Sequence, residues 1–336
     1  MGIEGAAPKP PAPRGPYSAA LLRQLTEPPG PAVGLPRPPS AQILGDDLQL
    51  ALYVCYELHY RGFDEVDPDW EWNPALLAFR AELEQAFLSA LRAATTPAPL
   101  AEQLAALLTE PADGSGPSHF LRKSGERWQA REYLAQRSLY HLKEADPQAW
   151  AIPRLHGPAQ AAFAAIEFDE YGDGHGDRAH AKLFADMMRD FGLDPGYGRY
   201  LDLASAEALA VVNLMSLFGL HRGLRGALVG QFAGVEITSS PGSARLADAL
   251  ESLGAGAAGT RFYREHVEAD AVHEQLVRRG VIAELLRQEP GLEPDIAFGL
   301  AASTLLEERL AAHMVSNWSR GQSSLRGPLP AEVAGR

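Results

Sequence analysis

Apolar residues recur at intervals of three and four along most of the chain, which is the spacing of positions on one face of an α-helix. The clearest case is PALLAFRAELEQAFLSALRAA, which begins at Pro74. Runs of alternating β-branched residues, which would indicate strands, are absent. The pattern predicts an all-α protein. Further helices are expected over residues 100–109, 129–146, 158–171, 177–191, 204–219, 223–238, 261–279 and 294–316.

The two ends of the chain depart from this helical pattern. Residues 1–40 hold 11 of the 26 prolines and almost no periodic apolar positions, which favours a mostly irregular arm on the surface or a disordered one. Ser40 is placed to cap the next helix, whose apolar positions run from Ile43 through Leu44, Leu48 and Leu52 to Cys55. From Arg320 onward the sequence is typical of a tail. We therefore expect an arm (1–40), a helical domain (41–319) and a tail (320–336).

Composition and charge narrow the classes of partner and site. The net charge of −13 argues against a nucleic-acid or membrane partner, because such surfaces need clustered Lys and Arg. The single cysteine, Cys55, leaves no internal disulfide and no Cys-rich zinc site. There is no secretory signal, and the longest apolar run, residues 208–220, is too short to span a bilayer. These features predict a soluble, cytoplasmic protein.

The stretch EHVEADAVHEQ, residues 265–275, carries the strongest chemical signal. His266, Asp270 and His273 are spaced i, i+4 and i+7, so all three project from one stripe of a helix. Composition alone predicts roughly 0.015 such matches in a chain of this make-up. The spacing therefore predicts one wall of a metal site.

A solvated charged face is the competing interpretation of this stretch. It is supported by three acidic residues that are expected to face solvent, Glu265, Glu268 and Glu274. An inward orientation is supported by three apolar residues that are expected to pack beside the stripe, Ala269, Val272 and Leu276. The solvated face predicts a non-catalytic helical protein that tolerates alanine at His266 and His273.

Other candidate ligands lie in unusually apolar surroundings or beside a helix start. Glu236 is in step with apolar residues of ALVGQFAGVEITSS, where an unpaired carboxylate would be costly. Glu170 lies in AAFAAIEFDEYG, with Glu167 one turn earlier as a competing candidate. His180 follows a glycine-rich break, and Asp177 is placed to cap its helix. One more carboxylate, Glu144, precedes a proline in YHLKEADP.

Oxygen and imidazole donors without thiolate suit iron or manganese better than copper(I) or structural zinc. Three histidines and three or four carboxylates are enough for two metal ions, with at least one carboxylate bridging them. A ferritin-type arrangement fits poorly, since no Glu-x-x-His occurs in the sequence. The donors therefore predict a two-metal site of another kind.

On these residues the chain resembles the haem-oxygenase-like diiron oxidases and oxygenases, also described as iron-containing redox enzymes. The resemblance covers residues 48–315, and its most specific passage is the His-x3-Asp-x2-His helix. It is carried by CYELHYRGFDEVDPDWEWNP, RSLYHLKEADPQAWAIPRLHG, EFDEYGDGHGDRAHAKLFADMM, NLMSLFGLHRGLRGALVGQFAGVEITSS and FYREHVEADAVHE. What it implies for the fold is a haem-oxygenase-like helical bundle.

The resemblance also implies a ligand set, residue by residue. The first carboxylate and histidine of the family correspond to Glu170 and His180, and its middle-helix glutamate corresponds to Glu236. Its closing trio corresponds to the His/Asp stripe. Some N-oxygenating members have a further carboxylate upstream, and Glu144 is similar in placement. The implied metal ligands are Glu144, Glu170, His180, Glu236, His266, Asp270 and His273, and all except Glu144 are also the implied catalytic residues.

The activity implied by the resemblance is oxidation of a small molecule with O2 as co-substrate and two Fe(II) ions per chain. N-oxygenation of an amine or related nitrogen in secondary metabolism is favoured, and oxidative C–C cleavage or desaturation stays open. Two further alternatives are a true haem oxygenase, which needs one proximal histidine in a haem-sized cleft, and a non-catalytic iron-binding protein. The expected partners are a small-molecule substrate, an external electron donor and a second copy in a homodimer, without nucleic acid or membrane.

Overall fold

The computed structural model describes residues 7–31, 34–36, 42–109 and 114–332. Within these ranges the chain forms helices and turns and no strand, which confirms the all-α prediction. In chain order the α-helices are α1 Pro16–Leu25, α2 Asp46–Glu57, α3 Pro74–Ala94, α4 Leu100–Leu107, α5 Pro117–Ser124, α6 Arg127–His141, α7 Asp146–Ala149, α8 Gly157–Glu170, α9 His180–Asp190, α10 Ala206–Leu220, α11 Arg225–Ser252, α12 Ala257–Gln275, α13 Ala283–Gln288 and α14 Glu293–Trp318. Single 3-10 turns occupy Pro68–Trp70, Ile152–Arg154, Leu201–Leu203, Arg222–Leu224 and Pro290–Leu292, and a π-helical segment, Leu276–Ile282, joins α12 to α13.

Helix α11 packs along both α12 and α14 and forms the centre of the bundle. Glycines allow α11 and α14 to approach closely. A Cβ at Gly230 would overlap the carbonyl of Ile296, and one at Gly299 would overlap the carbonyl of Ala227. Backbone-to-backbone contact of this kind is available only where a side chain is missing. It fixes α11, and with it Glu236, against the rest of the bundle.

Helix α11 is longer than the predicted helix over residues 223–238. The prediction ended it before Pro241, because proline lacks the N–H of a helix interior and clashes with the preceding turn. In the structure the helix continues through Pro241 to Ser252. Its second half buries Leu246 and Leu250, and Ser240 Oγ donates a hydrogen bond to Val267 O of α12 at 3.2 Å. Packing against α12 thus outweighs the local penalty of the proline.

The N-terminal arm contains a helix that the proline-rich composition did not predict. Helix α1 buries Leu21 and Leu25, which are 0% and 2% exposed. Asp47 at the start of α2 accepts hydrogen bonds from the backbone N–H groups of Tyr17 and Ser18 at 2.9 and 2.8 Å. The arm is therefore attached to the body by both apolar and charge-assisted contacts.

The second helix begins later than predicted. Ser40, the predicted cap, lies outside the described residues. Gly45 precedes the first helical residue, Asp46, so Ile43 and Leu44 come before the helix and do not belong to it.

The described part of the C-terminal tail lies against the body. Ser324 is 1% exposed, and its N–H and Oγ each donate to Glu132 Oε2 of α6 at 2.9 Å. Trp318 Nε1 donates to the same oxygen at 2.9 Å. Across the described part of the chain, no helix combines the length and the apolar character that crossing a bilayer requires.

Candidate metal centre

Seven buried side chains form two overlapping groups of potential metal ligands. Within each group, one donor atom per residue lies within 4.8 Å of all the others. The first donor group is Glu144, Glu170, His180 and His266, and the second donor group is Glu170, Glu236, Asp270 and His273. Each member is between 2% and 7% exposed. The structure thus brings together all seven residues that the sequence predicts as ligands.

Glu170, the last residue of α8, belongs to both donor groups and presents a different oxygen to each. Its Oε2 lies 2.6 Å from His180 Nδ1 in the first group. Its Oε1 lies 3.6 Å from His273 Nδ1 in the second group. A carboxylate whose two oxygens face two neighbouring sites has the geometry of a bridging ligand.

A tight turn returns the chain from Glu170 to His180. Gly172 and Gly174 have φ angles of 71° and 79°, and a Cβ at Gly172 would overlap the backbone of Ala179. Helix α9 begins at His180 itself, with Ala179 before it and no side-chain cap. The prediction that Asp177 caps this helix is wrong, since the turn bonds Ala179 N–H to His175 O at 3.2 Å and leaves Asp177 outside the cap position.

Hydrogen bonds fix which nitrogen of each α12 histidine faces its donor group. His266 Nδ1 lies 2.8 Å from the carbonyl oxygen of Phe262, an acceptor, so Nδ1 carries a proton and Nε2 faces Glu144. His273 Nε2 lies 2.8 Å from Asp169 Oδ2, so its Nδ1 is directed at the second donor group. Acceptors behind a histidine set its ring orientation in the way that metal sites require.

Two donor atoms are buried without a hydrogen-bond partner among the described residues. They are Glu144 Oε2 and Asp270 Oδ2. Buried carboxylate oxygens without a partner are unfavourable unless a cation or a proton compensates them. The donor set is oxygen and imidazole nitrogen, which suits iron or manganese. The residues present therefore fit a pair of divalent ions.

Protons compensate the buried carboxylates of the cluster when no metal is bound. Burial raises the pKa of Glu236 to about 8. Burial disfavours the imidazolium of His266, but the nearby carboxylate of Glu144 outweighs this and raises the pKa of His266 to about 10. In His273 burial is likewise outweighed by the hydrogen bonds to Asp270 and Glu236, which raise its pKa to about 11. Charged imidazoles then neutralise part of the surrounding negative charge.

The predicted helix over residues 129–146 includes Glu144, but in the structure Glu144 lies beyond the end of the helix. Helix α6 ends at His141, and the chain turns through Ala145, whose φ is 76°. Glu144 Oε1 accepts from His141 Nδ1 at 2.8 Å and lies 3.8 Å from His266 Nε2. The adjacent Lys143 pairs with Glu57 and not with Glu144.

A buried ion pair anchors this turn. Lys143 and Glu57 are 2% and 0% exposed, and Lys143 Nζ lies 2.9 Å from Glu57 Oε2. The remaining oxygen of Glu57 accepts from Tyr197 Oη at 2.7 Å, and Lys143 Nζ lies 4.2 Å from the centre of the Tyr60 ring. The pair holds the irregular segment that directs Glu144 at the first donor group.

Replacement of Lys143 by methionine is expected to lower the free energy of unfolding by about 3 kcal/mol, because it leaves Glu57 charged and unpaired in the interior. The double variant with Glu57→Gln is expected to be closer to the wild type, since neither charge is then buried alone. Urea denaturation of both variants measures the difference. A loss below about 1 kcal/mol in the single variant would contradict the assigned role of the pair.

The His/Asp stripe of α12 faces inward, and the solvated charged face is excluded by its burial. The prediction that Val272 packs beside this stripe is wrong, however. Val272 is 59% exposed, because an offset of six residues from His266 places it about 120° away around the helix. Glu268 is exposed, and Glu265 and Glu274 are partly exposed, as expected for the outer face.

Sequence reasoning missed two residues beside the donor groups. Asp169 fixes the ring of His273, and His141 contacts Glu144. Asp169 lies in the string EFDE, where three of four residues are acidic. It is only partly buried, so it does not belong to the repeating apolar positions that mark the inner face of α8. His141 ends a helix whose apolar pattern continues past it. Both act through a neighbouring ligand, which spacing along one chain does not reveal.

Glu167 is the competing candidate to Glu170 and lies outside both donor groups. It is 2% exposed, and neither carboxylate oxygen has a hydrogen-bond partner among the described residues. Burial, followed by the charges of Glu170 and Glu236, raises its pKa well above the usual value. Glu170 is therefore the candidate ligand on α8, and Glu167 is an additional buried carboxylate.

A cavity of about 510 Å³ opens beside both donor groups, within the usual size range of small-molecule sites. Phe232 and Phe262 provide apolar surface next to the ligands. Hydroxyl groups of Ser239, Ser243 and Thr304 lie along other parts of the wall. The arrangement can therefore admit a small polar molecule to the donor groups.

Comparison with known proteins identifies the family. Residues 131–308, just over half of the chain, match the family described as iron-containing redox enzymes. The chain belongs to this family. The match confirms the resemblance predicted from the sequence, and with the helical structure it confirms the haem-oxygenase-like fold. All members of both donor groups fall within the matched residues.

The nitrosourea synthase of Streptomyces achromogenes subsp. streptozoticus is similar to this iron-containing redox enzyme. It is 27% identical over 180 residues, which make up 53% of this chain and 38% of the relative. The chain thus spans well under two thirds of the length of the curated relative it matches.

Family membership makes the protein an oxidoreductase, and its buried histidines and carboxylates are compatible with iron binding. A haem oxygenase would need a single proximal histidine in a haem-sized cleft. In this iron-containing redox enzyme the three histidines of the donor groups each lie within 4 Å of a carboxylate. The arrangement favours non-haem iron.

Proposed function

We propose that this iron-containing redox enzyme is a non-haem diiron oxygenase that uses O2 to oxidise a nitrogen atom of a small molecule. The observation that carries the proposal is the pair of donor groups joined by Glu170. Each group offers four donors, and together they contain four carboxylates and three imidazoles. Four carboxylates balance the charge of two Fe(II) ions, which is the charge state such a centre needs before it meets O2.

Bound ferrous ions would supply the electrons that reduce O2. The chain contributes geometry and charge. Asp169 and the Phe262 carbonyl hold the two α12 imidazoles in the required tautomers. Phe232 and Phe262 limit the access of water to the donors. Repeated turnover consumes reducing equivalents, so we also propose an external electron donor as a partner.

Nitrogen as the oxidised atom is supported by the relative. A nitrosourea carries an oxidised nitrogen, and the protein named for its synthesis is 27% identical to this chain over 180 residues. Glu144 supports the same choice, since the resemblance places it at the extra carboxylate of N-oxygenating members. Oxidative C–C cleavage or desaturation at the same site is the alternative outcome of the test below.

The test loads the protein anaerobically with Fe(II) and then mixes it with O2 and a panel of primary amines and guanidines. We expect about two irons per chain, amine-dependent O2 consumption and transfer of label from 18O2 to the substrate nitrogen. The His273→Ala variant serves as the control and is expected to lose the iron of the second donor group and, with it, O2 consumption. Wild-type protein that binds fewer than two irons per chain at saturating Fe(II) would contradict the proposal, and cleaved or desaturated products without label on nitrogen would favour the alternative.

Metal affinity is expected to rise with pH. In the metal-free protein His266 and His273 hold protons with pKa values of about 10 and 11, and a metal ligand must be neutral. Below these pKa values each imidazole must lose a proton on binding, so lowering the pH weakens binding, by up to about tenfold per pH unit for each displaced proton. Titration with Mn(II) between pH 6 and 8, followed by electron paramagnetic resonance, measures the slope. An affinity independent of pH would contradict the assignment of these imidazoles as ligands.

A further inference from the structure

Glu167 is a buried carboxylate that the two donor groups do not use. It lies on α8 one turn before Glu170, so both side chains project from the same face of the helix. It is 2% exposed, and both of its oxygens are buried without a partner among the described residues. It also lines the cavity beside the donor groups. A buried carboxylate in this situation is stabilised by a proton, or by a cation that enters the cavity beside it.

The charges around the cavity show why the missing cation is not a third metal. Four carboxylates of the donor groups already balance two divalent ions, and the three imidazoles are neutral when they bind metal. Glu167 is a further carboxylate that these ions do not neutralise. The charged groups that act most strongly on it are other acids, namely Glu170, Glu236, Asp146 and Glu144. A monovalent cation next to Glu167 compensates its ionised form.

Arg137 on the cavity wall is already paired. Arg137 Nη1 and Nη2 donate to the two oxygens of Glu307 at 2.8 and 2.6 Å, a bidentate arrangement that satisfies both groups. It is therefore not arranged to compensate Glu167. The cation has to enter through the cavity, where it meets Glu167 and the donor groups together.

We propose that Glu167 binds the positively charged nitrogen group of the substrate, a protonated amine or a guanidinium, and places it beside the donor groups. This inference rests on the proposed function, because it assumes that two divalent ions neutralise the other four carboxylates. Two unpartnered oxygens side by side accept two N–H donors from one cationic group. The residue thereby selects cationic nitrogen compounds over neutral ones of the same shape.

The experiment compares two probes of nearly equal shape, n-butylguanidinium and neutral n-butylurea. Wild-type protein loaded with Mn(II) is titrated with each probe by calorimetry, and broadening of the probe's proton signals by Mn(II) locates it near the metal. We expect n-butylguanidinium to bind at least about tenfold more tightly than n-butylurea, which corresponds to 1.4 kcal/mol. Glu167→Gln, which keeps shape and removes charge, is expected to abolish that preference.

Two further variants make the comparison decisive. Glu308→Gln removes an exposed carboxylate at the edge of the same cavity and is expected to change the preference by less than about twofold, since exposed charges are screened. Glu167→Asp keeps the charge and is expected to retain a weakened preference. Equal binding of both probes to the wild type, or an unchanged preference in Glu167→Gln, would overturn the inference.

Metal stoichiometry separates this inference from the proposed function. Glu167→Gln is expected to bind as many Mn(II) ions per chain as the wild type, and loss of one ion would make Glu167 a ligand and overturn the inference. A wild type that holds fewer than two ions would instead contradict the two-metal site. The calorimetric preference for the cationic probe does not depend on that count, so it still decides the role of Glu167.

Discussion

Substitution of Glu170 by glutamine is expected to lower the affinity of both metal positions by about 100-fold or more. The neutral amide removes the charge that both donor groups share and leaves an N–H2 group pointing at one of them. Loss of a residue that merely orients a ligand already costs 10- to 100-fold, and Glu170 is itself the shared donor. Metal content after gel filtration in Mn(II) should fall from about two ions per chain to less than one.

Glu236→Gln is the matched control, since Glu236 belongs to the second donor group alone. This variant is expected to keep the ion of the first donor group and to lose the other. The contrast between the two variants tests the sharing of Glu170 and not simply the presence of acidic residues. Equal metal content in both variants would contradict the bridging role.

Substitution of Gly299 by valine is expected to lower the free energy of unfolding by more than about 4 kcal/mol. A Cβ at this position would overlap the carbonyl oxygen of Ala227 across the interface of α11 and α14. Valine adds two methyl groups to that overlap, so the helices must separate and expose buried leucines and phenylalanines. Thermal and urea unfolding, followed by circular dichroism at 222 nm, measure the loss.

Gly234→Ala is the control for this prediction. It lies on α11 as well, but a Cβ there meets nothing within 4 Å. Alanine is a better helix former than glycine by about 1 kcal/mol, so this variant should be as stable as the wild type or more stable. A small loss in Gly299→Val, similar to the change in Gly234→Ala, would show that the two helices can move apart freely.

Helical periodicity predicts most of the bundle because the core-facing residues of each long helix repeat at fixed intervals. It fails where tertiary contacts overrule local signals. Helix α11 continues through Pro241 because α12 packs against its second half. Helix α1 forms in a proline-rich arm because Asp47, thirty residues away, accepts its N-terminal N–H groups. Neither contact can be read from a local window of sequence.

The candidate site is likewise predictable in part from local sequence and in part not. His266, Asp270 and His273 are predictable because one helix places them on one stripe. The sequence also selects Glu236 and Glu170, since both are acids in apolar surroundings. That Glu170 belongs to both donor groups could not be predicted, because it depends on the direction of each of its carboxylate oxygens.

The choice between Glu167 and Glu170 shows the same limit in another form. Both acids lie on one face of α8, and both are buried. Only the three-dimensional arrangement places Glu170 among the histidines and leaves Glu167 facing the cavity. Side chains that act on a ligand from behind, such as Asp169, are likewise selected by distance in space and not by spacing along the chain.

The central claim is that two ions bind on either side of Glu170, and anomalous diffraction tests it most directly. Crystals saturated anaerobically with Fe(II) are measured above and below the iron absorption edge. We predict two anomalous peaks about 3.5–4 Å apart, one beside Glu144, His180 and His266 and the other beside Glu236, Asp270 and His273, with Glu170 between them. A single peak at saturating iron, or two peaks that Glu170 does not contact, would contradict the account.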